Sequence, residues 1–176
     1  MAEQNLGTYS ALDVQVILTQ ESTGLSYRVV GFMEDSVVTV TPTVDRMTPY
    51  NGADATGARI VSGNTSASIV LTLQQTSPSN DVLTQLHQRD TRSRRNEGLF
   101  SVMVKDASGR SVVSARQAYI GKLPEMSFTN GMSAREWTIY AFNAEMHVGG
   151  NSLMLPDEVD ALELLEANVD QSWVDA

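Results

Sequence analysis

The chain has 176 residues, no cysteine and a formal net charge of −9 at pH 7. A chain of this length can bury a core without disulfides or metal ions, and the lack of cysteine excludes thiolate catalysis and cysteine-ligated zinc. Tight phosphate binding needs a concentrated positive surface, so specific DNA binding is not expected. No apolar run approaches the roughly 20 residues that span a bilayer, so no membrane insertion is expected.

Alternating side chains predict a series of β-strands. Leu12, Val14, Val16 and Leu18 alternate with more polar neighbours, as in a strand with one buried face. Strand-favouring residues are enriched in six later segments, which are 27–30, 36–41, 66–75, 99–105, 110–120 and 135–148. The sequence therefore predicts a mainly β protein.

Residues 45–63 are predicted to form a long interaction loop. They carry Pro49, Gly52, Gly57 and Gly63 and show little hydrophobic periodicity. A loop of this length within a compact domain is usually functional or disordered. A flexible solvent loop is the competing interpretation.

Two helices are predicted. Ser79 or Asn80 can cap the first, which flanks the sheet and whose apolar face carries Val82, Leu83 and Leu86. The second, a possible C-terminal helix, runs from Pro156 to Ala167, with Val159, Leu162 and Leu165 or Glu166 at helical spacing. The acidic residues after Pro156 supply seven of the nine net negative charges.

The later strands contain two local signals. Asp106 and Gly109 supply turn chemistry for a hairpin between segments 100–105 and 111–115. In the last segment the apolar positions switch faces, which predicts a β-bulge or a strand that crosses two environments. The switch runs from Trp137, Ile139 and Ala141 to Phe142, Ala144 and Met146.

No motif indicates an enzyme, a cofactor site or a metal site. The two histidines, His87 and His147, are interpreted as structural or surface residues, and the nucleophile-elbow, zincin and phosphate-loop motifs do not occur. Four arginines at 89, 92, 94 and 95 are interpreted as a solvated helix end or a protein interface. Trp137 is predicted to lie in the core, and Trp173 is the better candidate for a partner contact.

Five segments, in order along the chain, resemble the tail tube proteins of contractile-tail (myovirus-type) bacteriophages. They are VTVTPTVDR at 38–46, QQTSPSND at 74–81, FSVMVKD at 100–106, REW at 135–137 and MHVGG at 146–150. The resemblance implies a β-sandwich or barrel-like protomer with a flanking helix. It also implies a structural virion protein whose hexameric rings stack into the inner tail tube, through which phage DNA passes without specific binding.

The resemblance implies partners and contacts as well. The expected partners are further copies of the chain and the tail sheath, baseplate and tail terminator proteins, and the expected location is the virion tail, assembled in the host cytoplasm. In such tubes the long loop commonly engages an adjoining protomer or ring. The candidate assembly residues are therefore Asp45, Arg46, Met47, Pro49, Tyr50, Asp54 and Arg59.

The segment after Asn151 departs from the resemblance, because similar proteins are expected to end near this point. We predict a tail tube domain at 1–151 and an acidic C-terminal extension at 152–176. The extension is expected either to form an exterior helix that contacts the sheath or to be disordered. The candidate sheath contacts are Val159, Leu162, Leu165 and Trp173.

Three alternatives remain open from the residues alone. The first is the inner tube of a contractile bacteriocin or secretion-type injection system, which has a similar ring-forming fold. The second is a carbohydrate- or protein-binding β domain. An enzyme is the weakest, because no residue spacing requires a catalytic site.

Overall fold

The computed structural model describes residues 4–175, which form one large antiparallel sheet, a separate hairpin and two α-helices. The strands are β1 Val14–Gln20, β2 Leu25–Arg28, β3 Val38–Pro42, β4 Met47–Asn51, β5 Gly57–Val61, β6 Ala67–Gln74, β7 Phe100–Asp106, β8 Val112–Ile120, β9 Ala134–Phe142 and β10 Glu145–His147. The helices are α1 Ser79–Arg92 and α2 Pro156–Leu164.

The large sheet curls into a barrel-like shape. Its order is β2-β1-β7-β8-β9-β6-β3, so the two edge strands follow each other in the chain. The segment that connects them forms backbone hydrogen bonds with both β1 and β6. The N–H of Val29 donates to the Val16 carbonyl of β1, and the N–H of Gln74 in β6 donates to the Gly31 carbonyl. This arrangement confirms the predicted mainly β, barrel-like fold.

The core follows from side-chain alternation along the strands. In β6 every second residue is buried, beginning with Ala67, and Ile69, Leu71 and Leu73 have no exposed surface. Leu83 and Leu86 of α1 cover one side of this core. Trp137 of β9 is only 2% exposed, which confirms its predicted core position, and its indole N–H donates to Asn80 Oδ1 over 2.9 Å.

The first helix was predicted correctly, but its cap was not. Pro78 occupies the N-cap position, without a side-chain cap hydrogen bond. Ser79 is instead buried, and its hydroxyl accepts from the backbone N–H of Val30 and donates to the Val30 carbonyl. The amide of Asn80 donates to the Gln74 carbonyl. Both side chains therefore join the helix to neighbouring chain segments.

The predicted irregularity lies at the junction of β9 and β10, but it is not a bulge, because Phe142↔Gln117 and Glu145↔Ser114 keep one register. Both strands pair with β8, at 117–120 and 112–114 respectively, and Asn143 between them has φ 48°. Such a left-handed residue interrupts the ladder and redirects the strand. Ala144 is buried as the face switch predicts, whereas Phe142 and Met146 remain exposed. No helix among residues 4–175 has both the length and the apolar character needed to cross a membrane.

Candidate assembly surfaces

The segment predicted as a long loop is a two-stranded hairpin, so the irregular-loop prediction was wrong. β4 and β5 pair antiparallel from Met47↔Val61 to Asn51↔Gly57. The turn is built locally, because Asp54 Oδ1 accepts from the hydroxyl and the backbone N–H of Thr56. The Thr56 hydroxyl is the main cause of the lowered pKa of Asp54.

All ten strand residues of this hairpin are exposed. The hairpin extends outward from the β3–β6 pair, and backbone hydrogen bonds link the two regions. The N–H of Thr43 donates to the Ser66 carbonyl, and the N–H of Ser62 donates to the Arg46 carbonyl. A two-stranded hairpin alone is marginally stable in water at best. Large apolar side chains nevertheless face solvent on it, namely Met47, Tyr50, Ile60 and Val61. These features are typical of a protein contact surface.

The seven predicted assembly residues are distributed over this hairpin. Asp45 and Arg46 precede β4, and Asp54 lies in the turn. Because cross-strand partners share a face, Pro49 and its partner Arg59 lie on the same face as Met47, whereas Tyr50 lies on the opposite face with Ile60. A partner that touches all of them therefore has to contact both faces.

The acidic extension folds back onto the barrel. Met154 is 5% exposed and forms a parallel bridge with Val174. The Arg110 guanidinium donates to the Ser152 carbonyl and lies 5.1 Å from the Trp173 ring centroid. These contacts describe an ordered segment with a short helix, which favours the helical alternative over the disordered one.

The four predicted sheath residues occupy different environments. Val159 and Leu162 are half-buried on α2, which ends at Leu164 and not at Ala167 as predicted. Leu165 follows the helix and is 77% exposed. Trp173 is half-buried against Arg110 of its own chain. Leu164, which the helical spacing does not single out, is 85% exposed.

A polar lock joins Asn151, which directly precedes the extension, to the β7–β8 turn, whose predicted hairpin is confirmed. Asn151 donates to Asp106 Oδ2 over 2.8 Å, and the other oxygen of Asp106 accepts from the Ser108 hydroxyl over 2.6 Å. Gly109 is required here, because a Cβ at this position would lie 2.5 Å from the Asn151 side chain.

We expect this lock to open in acid. Burial raises the pKa of Asp106, but hydrogen bonds from Ser108 and Asn151 together hold it below its usual value. The stability that a depressed carboxyl pKa contributes is present above the unfolded pKa, about 3.9, and is lost as the pH falls through the folded pKa. Asp106→Asn should therefore release the extension at pH 7, measured as faster proteolysis after residue 151. Equal release in the control Asp157→Asn, on exposed α2, would contradict this assignment.

The remaining polar candidates lie on and just after α1 and on β10. A cavity of about 470 Å³ at the end of α1 is lined by Arg89 and Arg92 together with Glu97. His87 Nδ1 lies 3.0 Å from the Ile120 carbonyl oxygen, and His147 is exposed on β10. Within residues 4–175, no group of three or more His, Cys, Asp or Glu side chains is placed to hold a metal ion.

Residues 121–133, which we name the Met–Phe loop, form a second exposed apolar surface. This loop connects β8 to β9 and was not singled out by the sequence analysis. Four of its side chains are between 47% and 77% exposed: Leu123, Met126, Phe128 and Met132. Their spacing matches neither a strand nor a helix, so periodicity carries no signal for them.

Comparison with known proteins identifies the family. A model of the bacteriophage PhiTE tail tube protein family matches residues 6–149, which include every strand. The chain belongs to this phage tail tube family. The tail tube protein is also 39% identical over 167 residues to "Structural protein ORF10" of Pseudomonas phage KPP10, covering 95% of this chain and 96% of the relative. Family and relative point to a structural component of a phage tail, not to an enzyme.

Solved structures with a similar fold come from contractile injection systems. The cap of the anti-feeding prophage superposes with a TM-score of 0.53 at 11% identity, covering 84% of the tail tube protein and 95% of that chain. A chain of the PVC sheath–tube complex in its extended state gives 0.51 at 10% identity, covering 80% and 92%. At such low identities these similarities show the fold alone.

The comparison corrects one expectation about the extension. Similar proteins were expected to end near Asn151, and the family match does end at residue 149. The match to the phage KPP10 protein, however, covers 95% of the chain. The match aligns 167 of the 176 residues and therefore leaves at most nine residues unaligned. Even if all nine lay at the C-terminus, the match would reach residue 167 and include α2. The extension is therefore shared with that relative.

Proposed function

We propose that this tail tube protein assembles into hexameric rings, which stack into the inner tube of a phage tail. The observation that carries the proposal is the projecting β4–β5 hairpin, whose ten strand residues are all exposed. A segment of this kind gains stability when a partner covers it. Since a ring or stack is built from identical copies, the nearest available partner is another copy of the chain.

Passage of DNA through the tube is the second part of the proposal. The net charge of −9 supports it, because a tube without a concentrated positive surface does not hold phosphates tightly. Electron cryomicroscopy of assembled tubes tests this part. We expect sixfold symmetry and a lumen wide enough for duplex DNA. A lumen narrower than a duplex would overturn DNA passage, and a different symmetry would overturn the hexamer.

An injection-system tube that carries protein is the second candidate function. The similar folds in contractile injection systems favour it, whereas the phage KPP10 relative favours a phage tail. Particles purified with this tube distinguish the two functions. Filled DNA capsids attached to the tails support the phage assignment, and headless contractile particles support the alternative.

We also propose that residues 152–176 act as a separate extension that binds the sheath. The exposed side chains Leu164 and Leu165 support this role, together with the outward sides of Val159 and Leu162 on α2. Trp173 contributes by fixing the extension on Arg110. The baseplate and the tail terminator are proposed to bind the two ends of the tube, which is assembled in the host cytoplasm.

Removing the apolar end of α2 should weaken sheath binding. Burying one leucine contributes about 1.5–3 kcal/mol, so the pair Leu164→Ser and Leu165→Ser should lower sheath affinity about tenfold or more. Co-sedimentation of sheath with preformed tubes measures this change. The control is Leu12→Ser, an equally exposed leucine outside the extension. Unchanged sheath binding in the double variant, or an equal loss in the control, would contradict the sheath assignment.

A further inference from the structure

The Met–Phe loop is held in place by a buried arginine. Arg135 is 6% exposed, and its guanidinium donates to the Ser127 carbonyl and to the Ser133 hydroxyl. The same guanidinium lies 5.5 Å from the Phe128 ring centroid. A buried charge is stable only when its hydrogen bonds are satisfied, so Arg135 depends on this loop conformation.

The contacts of Arg135 hold the Met–Phe loop in a conformation that exposes apolar side chains to solvent. Phe128 is 77% exposed and Met126 is 66% exposed, although a collapsed loop could cover them. Rigid presentation lowers the entropic cost of binding, because fewer side chains have to be ordered in the complex. Aromatic and methionine side chains are also enriched in protein interfaces. The loop therefore has the properties of a preformed docking surface.

The hairpin and the Met–Phe loop lie at opposite ends of one β-ladder. The loop leads into β9, where Ala134 pairs with Gln74, and the hairpin leads into β6, where Ala67 pairs with Ala141. The ladder has eight paired positions, so seven steps of about 3.3 Å place its ends roughly 23 Å apart. Since the hairpin extends outward from the ladder, it cannot reach the loop of its own chain.

The two surfaces also match in charge. The hairpin segment 45–63 carries two aspartates and two arginines, and the loop carries one lysine and one glutamate, so both are neutral. Seven of the nine net negative charges of each copy lie in residues 157–175, so two copies repel each other wherever these acidic segments come close. A contact between neutral apolar surfaces avoids this repulsion.

We propose that the β4–β5 hairpin of one copy docks on the Met–Phe loop of the next copy along the tube. The inference rests on the proposed tube function and names the surface that receives the hairpin. Such a contact is heterologous, because different surfaces of the two copies meet, and it can repeat along a stack. Tyr50 and Ile60 on the hairpin, with Met126 and Phe128 on the loop, form the apolar centre of the contact. Because both sides are neutral, tube stability should depend little on salt.

Cysteine cross-linking tests the contact. Because the chain has no cysteine of its own, only the introduced cysteines can react with the cross-linker. The double variant Tyr50→Cys with Met126→Cys, assembled and treated with a short bismaleimide, should give a ladder of covalent multimers on a denaturing gel. A disulfide requires Cα atoms closer than about 7 Å, and a short linker tolerates a small error in register. The matched control pairs Tyr50→Cys with Leu165→Cys, since Leu165 is similarly exposed, and should give no ladder.

The outcomes separate this inference from the proposed function. Tubes without a ladder, or an equal ladder in the control pair, would overturn the docking site and leave the tube function standing. A ladder without rings or tubes would support the contact and overturn the tube function. As a second test, Phe128→Ser should reduce tube length several-fold while the monomer stays folded, and Leu165→Ser should not. Normal tube growth by Phe128→Ser would count against the docking site.

Discussion

Replacing residues 47–61 by a short Gly–Ser linker is expected to yield a folded monomer that no longer stacks into tubes. The hairpin contributes no residue to the hydrophobic core, and all ten of its strand residues are exposed. Its removal therefore leaves the core packing unchanged while deleting several apolar contacts per protomer. Far-ultraviolet circular dichroism should show an intact β protein, and negative-stain micrographs should show no long tubes.

The control for this variant is truncation after Asn151. It removes 25 residues, 152–176, and thus more chain than the hairpin replacement does. Because the proposed stacking contacts lie on the hairpin and the Met–Phe loop, the truncated chain should still form tubes. Tubes of normal length from the hairpin variant, or loss of tubes in both variants, would refute the assignment of stacking to the hairpin.

Trp137→Ala should have the largest effect on the stability of the monomer. The indole is 2% exposed, and its N–H donates to Asn80 over 2.9 Å, where it links β9 to the start of α1. Truncating a buried tryptophan to alanine costs about 3–5 kcal/mol, because both transfer energy and packing are lost. Since small domains have about 5–15 kcal/mol of total stability, the urea midpoint should fall sharply.

A residue on the opposite face of the same strand supplies the control. Tyr140 of β9 is 42% exposed and stacks on Tyr119 with ring centroids 5.6 Å apart. Tyr140→Ala removes a large ring without opening the core, so its cost should be within about 1 kcal/mol. Equal losses in the two variants would mean that the two faces of β9 do not differ as the burial pattern indicates.

Strands with one buried face could be predicted from the sequence, whereas the two strands of the exposed hairpin could not. Alternation in β6 and β9 reflects the contrast between core and solvent, and it located both strands. β4 and β5 have solvent on both faces, so no apolar and polar contrast marks them. Their turn was visible only as glycines and aspartates, which are equally typical of irregular loops.

The assembly surfaces depend on tertiary contacts that local patterns do not record. The hairpin residues were named through a family resemblance, not through periodicity. The Met–Phe loop was overlooked because its exposure depends on Arg135, which binds it from an adjoining strand. Trp173 remains a predicted partner contact, but its packing against Arg110, 63 positions earlier in the chain, could not be predicted from local sequence.

Negative-stain electron microscopy of the purified full-length protein tests the central claim, self-assembly, most directly. Over a range of concentrations, without sheath or other tail proteins, it should show rings in end view and hollow, regularly striated tubes in side view. Particles that stay monomeric at every concentration, although circular dichroism shows them to be folded, would contradict the claim.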